Sequence, residues 1–213
     1  MTNLQELSDA IVAGRLELAV ELTRAALEEG VDPQSIISDY MIPAMQCIGQ
    51  QFQEGKAYVP ELLMAARAMK GALELIKPLL TSGKSATLGK IVIGTVYGDL
   101  HDIGKNLVAS MLEGCGFEVI NLGVNITAER FVETLRSEQA DILCLSALLT
   151  TTMNYMKTVI EAVEQAGLRD RVKIMVGGAP VNQLFADQIG ADGYSSNANS
   201  AVLKAKELMA QTA

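Results

Sequence analysis

The chain has 213 residues with 49% hydrophobic content, and its 25 acidic and 17 basic side chains give a formal net charge of −8. This length is enough for one large domain or two small ones, and the acidic balance argues against nucleic acid or an anionic membrane as a partner. The first residues are polar and no apolar run approaches the length that spans a membrane, so we expect a cytoplasmic protein. The cysteines Cys47, Cys115 and Cys144 lie far apart and are expected to be reduced thiols.

Apolar residues recur at helical spacing throughout residues 1–80. They predict four helices joined by short loops, which would form a small bundle. Gly30 ends the second helix, and Asp32 followed by Pro33 supplies the cap and the first turn of the third. Pro43 lies inside the third helix and is expected to kink it, because proline has no backbone N–H.

Residues 81–89 are rich in Ser, Gly and Thr without periodicity, and we interpret them as a linker between domains. From Lys90 onward, short apolar runs alternate with helical patterns. The alternation predicts an α/β domain over residues 90–213, with a doubly wound parallel sheet of five strands in the flavodoxin or Rossmann-like arrangement. The predicted strands are 90–96, 118–122, 141–146, 172–176 and 192–195, and the predicted helices are 104–114, 127–138, 151–166, 181–189 and 198–210.

The only histidine of the chain, His101, lies in the loop after the first predicted strand. That loop leaves the carboxyl edge of the sheet, where open α/β folds bind ligands. A neutral imidazole is a good ligand for a transition metal, and metal-bound histidines usually donate their second ring N–H to a carboxylate. Asp99, two residues earlier, can face the same way as His101. Considered alone, a loop histidine is as compatible with an ordinary surface or helix-start position as with a metal ligand.

Asp99, His101 and Gly104 form an Asp-x-His-x-x-Gly pattern, which resembles the lower-ligand motif of cobalamin-binding domains. The resemblance implies that His101 replaces the benzimidazole of the cofactor on cobalt and that Asp99 accepts a hydrogen bond from the other ring nitrogen. It also implies that Gly104 leaves room for the displaced nucleotide tail. The rest of the loop is expected to contact the cofactor, through Gly98, Leu100, Asp102 and Ile103.

Two further loops leave the same predicted edge, because strands one, three and four are neighbours in the flavodoxin order. Strand three runs into Ser146-Ala147-Leu148, and strand four runs into Gly177-Gly178. Ser-x-Leu and Gly-Gly are common patterns by themselves. In this order and on these elements, they resemble the rest of the cobalamin-domain signature.

The resemblance implies a role for each of these residues. Ser146 would bond the buried benzimidazole with Leu148 beside it, and Gly177 and Gly178 would let the backbone approach the nucleotide tail. Thr152, six residues after the serine, would complete an Asp–His–hydroxyl relay. Thr150 and Ala179 are also expected to contact the cofactor.

In the helical half, residues 48–63 resemble the cap of methionine synthase and of the small corrinoid proteins of anaerobic methyltransferase systems. In that cap, residues matching Phe52, Val59 and Leu62 cover the methyl face of the corrin. The alternative is that these three side chains are ordinary bundle core. The resemblance covers nearly the whole chain.

These resemblances imply a corrinoid protein that carries a methyl group and does not turn over alone. A substrate-specific methyltransferase would load the methyl group, a second would pass it to tetrahydrofolate, coenzyme M or a similar acceptor, and a reductive activation protein would keep the cobalt active. Methylamines, betaines, methanol and methoxylated aromatics are all compatible donors. The alternatives are the small subunit of an adenosylcobalamin-dependent isomerase, a cobalamin-based sensor, and a flavodoxin-like domain without metal.

Overall fold

The computed structural model describes residues 2–79 and 87–211. The chain divides into two compact units, one of residues 1–87 with 110–116 and the other of residues 88–109 with 117–213. The helical pattern of the sequence therefore lies in the first unit and most of the α/β pattern lies in the second. Most of the predicted linker, residues 81–86, lies outside the described residues.

The first unit contains helices with side-chain caps, and one of these caps is the predicted Asp32. The Asn3 side chain accepts a hydrogen bond from the Gln5 N–H, and the Asp32 side chain accepts one from the Ser35 N–H. The longest helix of the unit packs against the other three long ones. The helices are α1 (Leu4–Val12), α2 (Leu16–Glu28), α3 (Pro33–Ser35), α4 (Ile42–Gln53) and α5 (Val59–Ile76). In the described parts of the chain, none of the helices is long and apolar enough to cross a membrane.

The third predicted helix is interrupted by a π-helical segment over Ile36–Met41, which separates α3 from α4. Within it, the Ile42 N–H donates to the Ile37 carbonyl, five residues back. A proline at position 43 has no N–H to offer, and its ring clashes with a carbonyl one turn earlier in a regular α-helix. The wider turn just before Pro43 is therefore the form that the predicted distortion takes.

The second unit contains a parallel five-stranded sheet with the order β2-β1-β3-β4-β5, which confirms the flavodoxin-like, doubly wound prediction. Fully buried apolar residues such as Val92, Leu143 and Ile174 lie on the adjacent central strands. The strands are β1 (Lys90–Thr95), β2 (Glu118–Asn121), β3 (Ile142–Ser146), β4 (Lys173–Gly177) and β5 (Gly193–Ser195), and the helices that begin in this unit are α6 (Ile103–Gly114), α7 (Ala128–Glu138), α8 (Thr150–Met153), α9 (Tyr155–Gln165), α10 (Gln183–Ile189) and α11 (Ala198–Ala210). The last residues of α6, from 110 onward, are assigned to the first unit.

The register of the three central strands aligns their carboxyl ends. Thr95 of β1 lies opposite Ser146 of β3, and Ser146 lies opposite Gly177 of β4. The loops that follow these three residues therefore start side by side at one edge of the sheet.

One predicted helix, 151–166, is divided into α8 and α9 by Asn154. The first segment contains consecutive threonines, which are weak helix formers because their branched side chains lose rotamer freedom. In addition, the Thr152 hydroxyl donates to the Asp99 carboxylate, which ties this short segment to the β1 loop.

Candidate functional site

The site begins with a tight turn at the end of β1. The Asp99 N–H donates to the Val96 carbonyl at 3.2 Å, so these residues close a four-residue turn. Gly98, the third residue of the turn, has a φ of +81°, which is the conformation that a type II turn requires at this position. The turn therefore needs glycine at 98, and it places Asp99 directly at the edge of the sheet.

The Asp99 carboxylate is fully buried and accepts hydrogen bonds on both oxygens. Oδ1 accepts from the His101 backbone N–H at 3.1 Å and lies 2.7 Å from His101 Nδ1. Oδ2 accepts from the Leu148 N–H at 2.8 Å, the Leu149 N–H at 3.2 Å and the Thr152 hydroxyl at 2.7 Å. The carboxylate thus joins the loops that follow β1 and β3.

The electrostatics of this pair are set by competing effects on Asp99. Burial alone would raise its pKa, but the hydrogen bonds from the Thr152 hydroxyl, the Leu148 N–H and His101 favour the charged form and outweigh burial. The pKa of Asp99 is therefore held well below its usual range. Asp99 is an anion at neutral pH and can only accept hydrogen bonds.

His101 consequently donates from Nδ1, because its partner at that nitrogen is an acceptor. In the neutral imidazole the lone pair then resides on Nε2, the usual arrangement in a metal-bound histidine whose second nitrogen contacts a carboxylate. The His101 side chain is 52% exposed, and its backbone carbonyl accepts from the buried Thr95 hydroxyl at 2.9 Å. His101 is thus fixed through its backbone and one ring nitrogen, while the ring remains accessible.

The surface beside His101 is unusually apolar for an exposed loop. Ile103 is 87% exposed and Leu100 is 72% exposed, and Leu148 is exposed on the neighbouring loop. Exposed apolar side chains gathered at one edge of a sheet are typical of a ligand site. A Cβ at Gly104 would meet no atom within 4 Å, so this side of the loop is open. Such a surface could hold a large ring with a metal at its centre, which His101 could bind through Nε2.

The remaining residues predicted to contact the cofactor lie at the same edge of the sheet. Ser146 is partly buried at the end of β3, and Thr150 and Ala179 are exposed in the following loops. Gly178 has a φ of +132°, and a Cβ there would overlap the Ala147 carbonyl oxygen. The protein's own backbone therefore already requires glycine at 178, and the predicted approach of the nucleotide tail to this residue stays a prediction.

Asp102 and Gly177 are also held by contacts within the protein. The Asp102 carboxylate accepts from the Asn106 amide at 2.9 Å, across the first turn of α6. A Cβ at Gly177 would lie 3.2 Å from the Ser195 carbonyl oxygen of β5. Both residues therefore have a structural role at this edge, beside the cofactor contact predicted for them.

The three residues predicted to cover the methyl face differ in exposure. Val59 is 38% exposed at the start of α5, and Phe52 is partly buried. Leu62 is fully buried, on the same side of α5 as the buried Met69 and Ile76. Leu62 therefore has the burial expected of a bundle-core residue, because residues seven apart lie close to the same face of a helix. Its predicted role over the methyl face stays a prediction.

Several residues around the pair were not found by sequence reasoning. Leu149 contacts Asp99 only through its backbone N–H, so the identity of its side chain does not indicate this contact. Lys105 is buried, and its amine donates to the side-chain oxygens of Asn106 at 2.6 Å and Asn121 at 2.7 Å, which joins α6 to the end of β2. Burial lowers the pKa of Lys105. Asn125 contacts the turn itself, and a lysine or asparagine next to a motif gives no indication of such contacts.

Comparison with known proteins gives matches along almost the entire chain. A family model described as a B12 binding domain matches residues 89–203, and a second model with the same description matches residues 4–77. The dimethylamine corrinoid protein of Methanosarcina barkeri is 45% identical over 208 residues, covering 97% of each chain. Trimethylamine corrinoid protein 1 of Methanosarcina mazei is 45% identical over 212 residues, covering 97% of this chain and 98% of the relative.

Solved structures agree with these matches. A cobalamin-binding protein from Desulfitobacterium hafniense has a TM-score of 0.82 at 29% identity, with 98% of this chain and 99% of that chain covered. A chain of the methanol:cobalamin methyltransferase complex from Methanosarcina barkeri has a TM-score of 0.84 at 32% identity, with coverages of 97% and 79%. From the identity and extent of these matches, the chain belongs to the B12-binding corrinoid proteins of methyltransferase systems, whose cofactor is cobalamin or a related cobalt corrinoid.

Proposed function

We propose that this protein carries a methyl group on a bound corrinoid between two methyltransferases, with His101 as the protein ligand of the cobalt. The observation that supports this role most directly is the 2.7 Å contact between His101 Nδ1 and the buried carboxylate of Asp99. It leaves Nε2 of an accessible imidazole as the nitrogen available to a metal. When bound, the corrinoid would supply a cobalt centre whose electron pair can form and release the bond to a methyl group.

Residues of the chain orient the His101 ring and its Nδ1 proton. Asp99 keeps the Nδ1 proton oriented and stabilises positive charge on the ring whenever His101 is protonated. Thr152, Leu148 and Leu149 donate to the other carboxylate oxygen, so the anion is stabilised without sharing its His101-facing oxygen. This division allows His101 to bind or release the metal while the carboxylate stays in position.

The apolar side chains of Leu100, Ile103 and Leu148 would contact the corrin around this ligand, and Ser146, Thr150, Gly177, Gly178 and Ala179 would contact its lower side. The role of Phe52, Val59 and Leu62 over the methyl face stays a prediction. Asp102 would act through α6, because its carboxylate is engaged with Asn106.

We further propose that one partner is a substrate-specific methyltransferase and that the other transfers the methyl group to tetrahydrofolate, coenzyme M or a similar acceptor. A reductive activation protein would restore oxidised cobalt. A methylated amine is the first donor to test, because the named dimethylamine and trimethylamine corrinoid proteins are both 45% identical to this chain, whereas the matched chain of the methanol complex is 32% identical.

The two alternatives that retain a corrinoid are less well supported. Small subunits of adenosylcobalamin-dependent isomerases share the α/β half but generally lack a helical cap, whereas residues 4–77 here match a B12 binding domain model. A cobalamin-based regulator of transcription would need a DNA-binding surface, which conflicts with a net charge of −8.

The proposal is tested by adding hydroxocobalamin to the purified chain and recording the visible spectrum after removal of free cofactor. We expect retained absorbance, and then methylation of the reduced complex by methyl iodide with a defined stoichiometry. The methylated complex should lose its methyl group to an acceptor only when an acceptor methyltransferase is added. Absence of bound cofactor, or adenosyl-dependent radical chemistry instead of methyl transfer, would refute the carrier function.

A further inference from the structure

Asn125 has an unusual backbone conformation next to the His101 loop. In residues 2–79 and 87–211, only Asn125, with a φ of +58°, and Gln139, with a φ of +53°, are non-glycine residues in the left-handed region. This conformation costs free energy even for asparagine, which tolerates it better than most residues. It therefore persists where neighbouring contacts require it.

The contacts of Asn125 are made with the turn that carries Asp99. The Gly98 N–H donates to the Asn125 side-chain oxygen Oδ1 at 2.8 Å. The Asn125 N–H donates to the Asp99 carbonyl oxygen at 3.0 Å. One residue in the left-handed conformation thus binds the turn on both sides of the peptide that joins Gly98 to Asp99.

The segment that carries Asn125 is itself anchored to β1. The Thr95 N–H donates to the Gly123 carbonyl at 3.0 Å, and the Ile126 N–H donates to the Thr95 carbonyl at 3.0 Å. Asn125 lies between these two attachment points. It therefore contacts the turn from a fixed support.

A fixed support matters here because the turn contains a glycine. Glycine has more conformational freedom than any other residue type, so the orientation of the peptides on either side of Gly98 depends on their hydrogen bonds. The Asp99 N–H is held by the Val96 carbonyl, and the Gly98 N–H is held by Asn125. The direction of the Asp99 carboxylate decides whether Nδ1 of His101 finds its acceptor. If the carboxylate pointed elsewhere, the Nδ1–H would lose its acceptor. The neutral imidazole would then no longer prefer the tautomer with its lone pair on Nε2.

We propose that Asn125 is a positioning residue for His101. Its side-chain oxygen holds the Gly98 N–H, which keeps the Asp99 carboxylate aimed at Nδ1 and so favours, in the neutral imidazole, the tautomer with its lone pair on Nε2. The value of this arrangement for a metal ligand rests on the proposed function, but the tautomer of His101 is measured without any cofactor.

The test compares three variants of the full chain. Asn125→Gly permits the same backbone conformation but removes the side-chain acceptor, and Asn125→Asp keeps an oxygen acceptor. Gln139→Gly is the matched control, because it introduces glycine at the other left-handed position, at the end of α7. Since the chain has one histidine, the ¹⁵N NMR spectrum of its imidazole reports the ratio of the two neutral tautomers directly.

We expect the unmodified chain, Asn125→Asp and Gln139→Gly to favour the Nδ1–H tautomer, and Asn125→Gly to shift the tautomer ratio several-fold toward Nε2–H. After reconstitution with hydroxocobalamin and reduction to Co(II), nitrogen hyperfine splitting in the EPR spectrum should fall in parallel in Asn125→Gly. Thermal melts check that each variant is folded.

An unchanged tautomer ratio in Asn125→Gly would overturn the inference, and so would loss of the preference in Asn125→Asp, which stands as an independent measurement if the glycine variant does not fold. Failure of every chain, including the unmodified one, to bind hydroxocobalamin would instead refute the proposed function, while the tautomer result would still decide the role of Asn125.

Discussion

The Thr152 hydroxyl lies 2.7 Å from Oδ2 of Asp99, the carboxylate oxygen that His101 does not contact. The same hydroxyl lies 3.1 Å from the Leu149 carbonyl, but it has a single proton, which the shorter contact assigns to Asp99. His101 and Thr152 therefore share one carboxylate without competing for an oxygen. Substitutions of Asp99 and of Thr152 should therefore affect the ligation of His101 differently.

We first predict opposite shifts for Asp99→Asn and Thr152→Val. The asparagine removes the charge that stabilises protonated His101, so the pH midpoint between the His-ligated and His-free spectra should decrease. Valine removes a donor to Asp99 and leaves a more basic carboxylate, so the midpoint should increase, by a smaller amount. Visible spectra of the reconstituted variants across pH measure both midpoints.

Thr151→Val is the matched control for this pair, because Thr151 is an exposed neighbour on α8. It should leave the midpoint unchanged. Identical midpoints in all three variants and the unmodified chain would show that the Asp99 contact does not govern ligation.

A second prediction concerns acid stability. Because the pKa of Asp99 is lower in the folded chain than in the unfolded chain, the unfolded state binds more protons between the two values. The stability from Asp99 is fully present above about pH 4 and is lost as the pH falls toward the folded pKa. Asp99→Asn should cost about 1.5–3 kcal/mol at neutral pH and progressively less in acid. Urea unfolding between pH 7 and 3 measures this difference.

The exposed Asp170 provides the control for that series. The Asp170→Asn variant should unfold in parallel with the unmodified chain at every pH. A constant gap between Asp99→Asn and the unmodified chain down to pH 3 would contradict the assignment of acid sensitivity to Asp99.

A third prediction isolates the metal ligand. His101→Ala should still bind hydroxocobalamin, because the loops around the histidine would supply most of the contact area. Its reduced Co(II) form should lack the nitrogen hyperfine splitting of a histidine ligand, since the chain has no other imidazole. Retention of that splitting in the variant would exclude His101 as the ligand.

A fourth prediction separates core from surface on α5. Leu62→Ala removes a fully buried side chain and should reduce the free energy of unfolding by about 2–5 kcal/mol. Val59→Ala changes a partly exposed side chain and should cost less than about 1 kcal/mol. Urea unfolding of both variants without cofactor gives the comparison. Equal losses would mean that Val59 is as much a part of the core as Leu62.

A fifth prediction uses the cysteines. Burial raises the pKa of the Cys144 thiol to about 12, and only the thiolate reacts with iodoacetamide. Cys47 is exposed on α4. Alkylation at pH 8 followed by mass spectrometry should find Cys47 modified rapidly and Cys144 modified only after denaturation. The Cys47→Ser variant should lose the rapid reaction; rapid modification of Cys144 in that variant would show that β3 opens readily.

The order of the sheet and the pairing of Asp99 with His101 were predictable because both leave strong patterns. Five apolar runs alternate with helical segments. Asp99, His101 and Gly104 follow the Asp-x-His-x-x-Gly pattern, whose resemblance to a known motif implied the contact. The backbone donors of Leu148 and Leu149 were not predictable, since every residue has an N–H. The role of Asn125 was not predicted, because the sequence does not show that this asparagine has a positive φ.

Leu62 illustrates a different limit. An apolar residue at helical spacing is compatible with a bundle core and with a ligand-facing surface, and periodicity cannot separate them when both faces of a helix are apolar. Pro43 shows a similar limit for the prediction of backbone geometry. Proline signals that a helix is disturbed, but whether the chain bends or widens into a π turn depends on the packing around it.

The π-helical segment over Ile36–Met41 also constrains the length of the chain. Successive residues of an α-helix are rotated by about 100°, and a π turn accommodates one additional residue. Deleting one residue there would turn all of α4 by roughly that angle relative to α3. Ala44 and Ile48 would then leave the interior although every side chain was retained. In this segment the number of residues is therefore under as much constraint as their identity, and relatives are expected to vary in composition here more readily than in length.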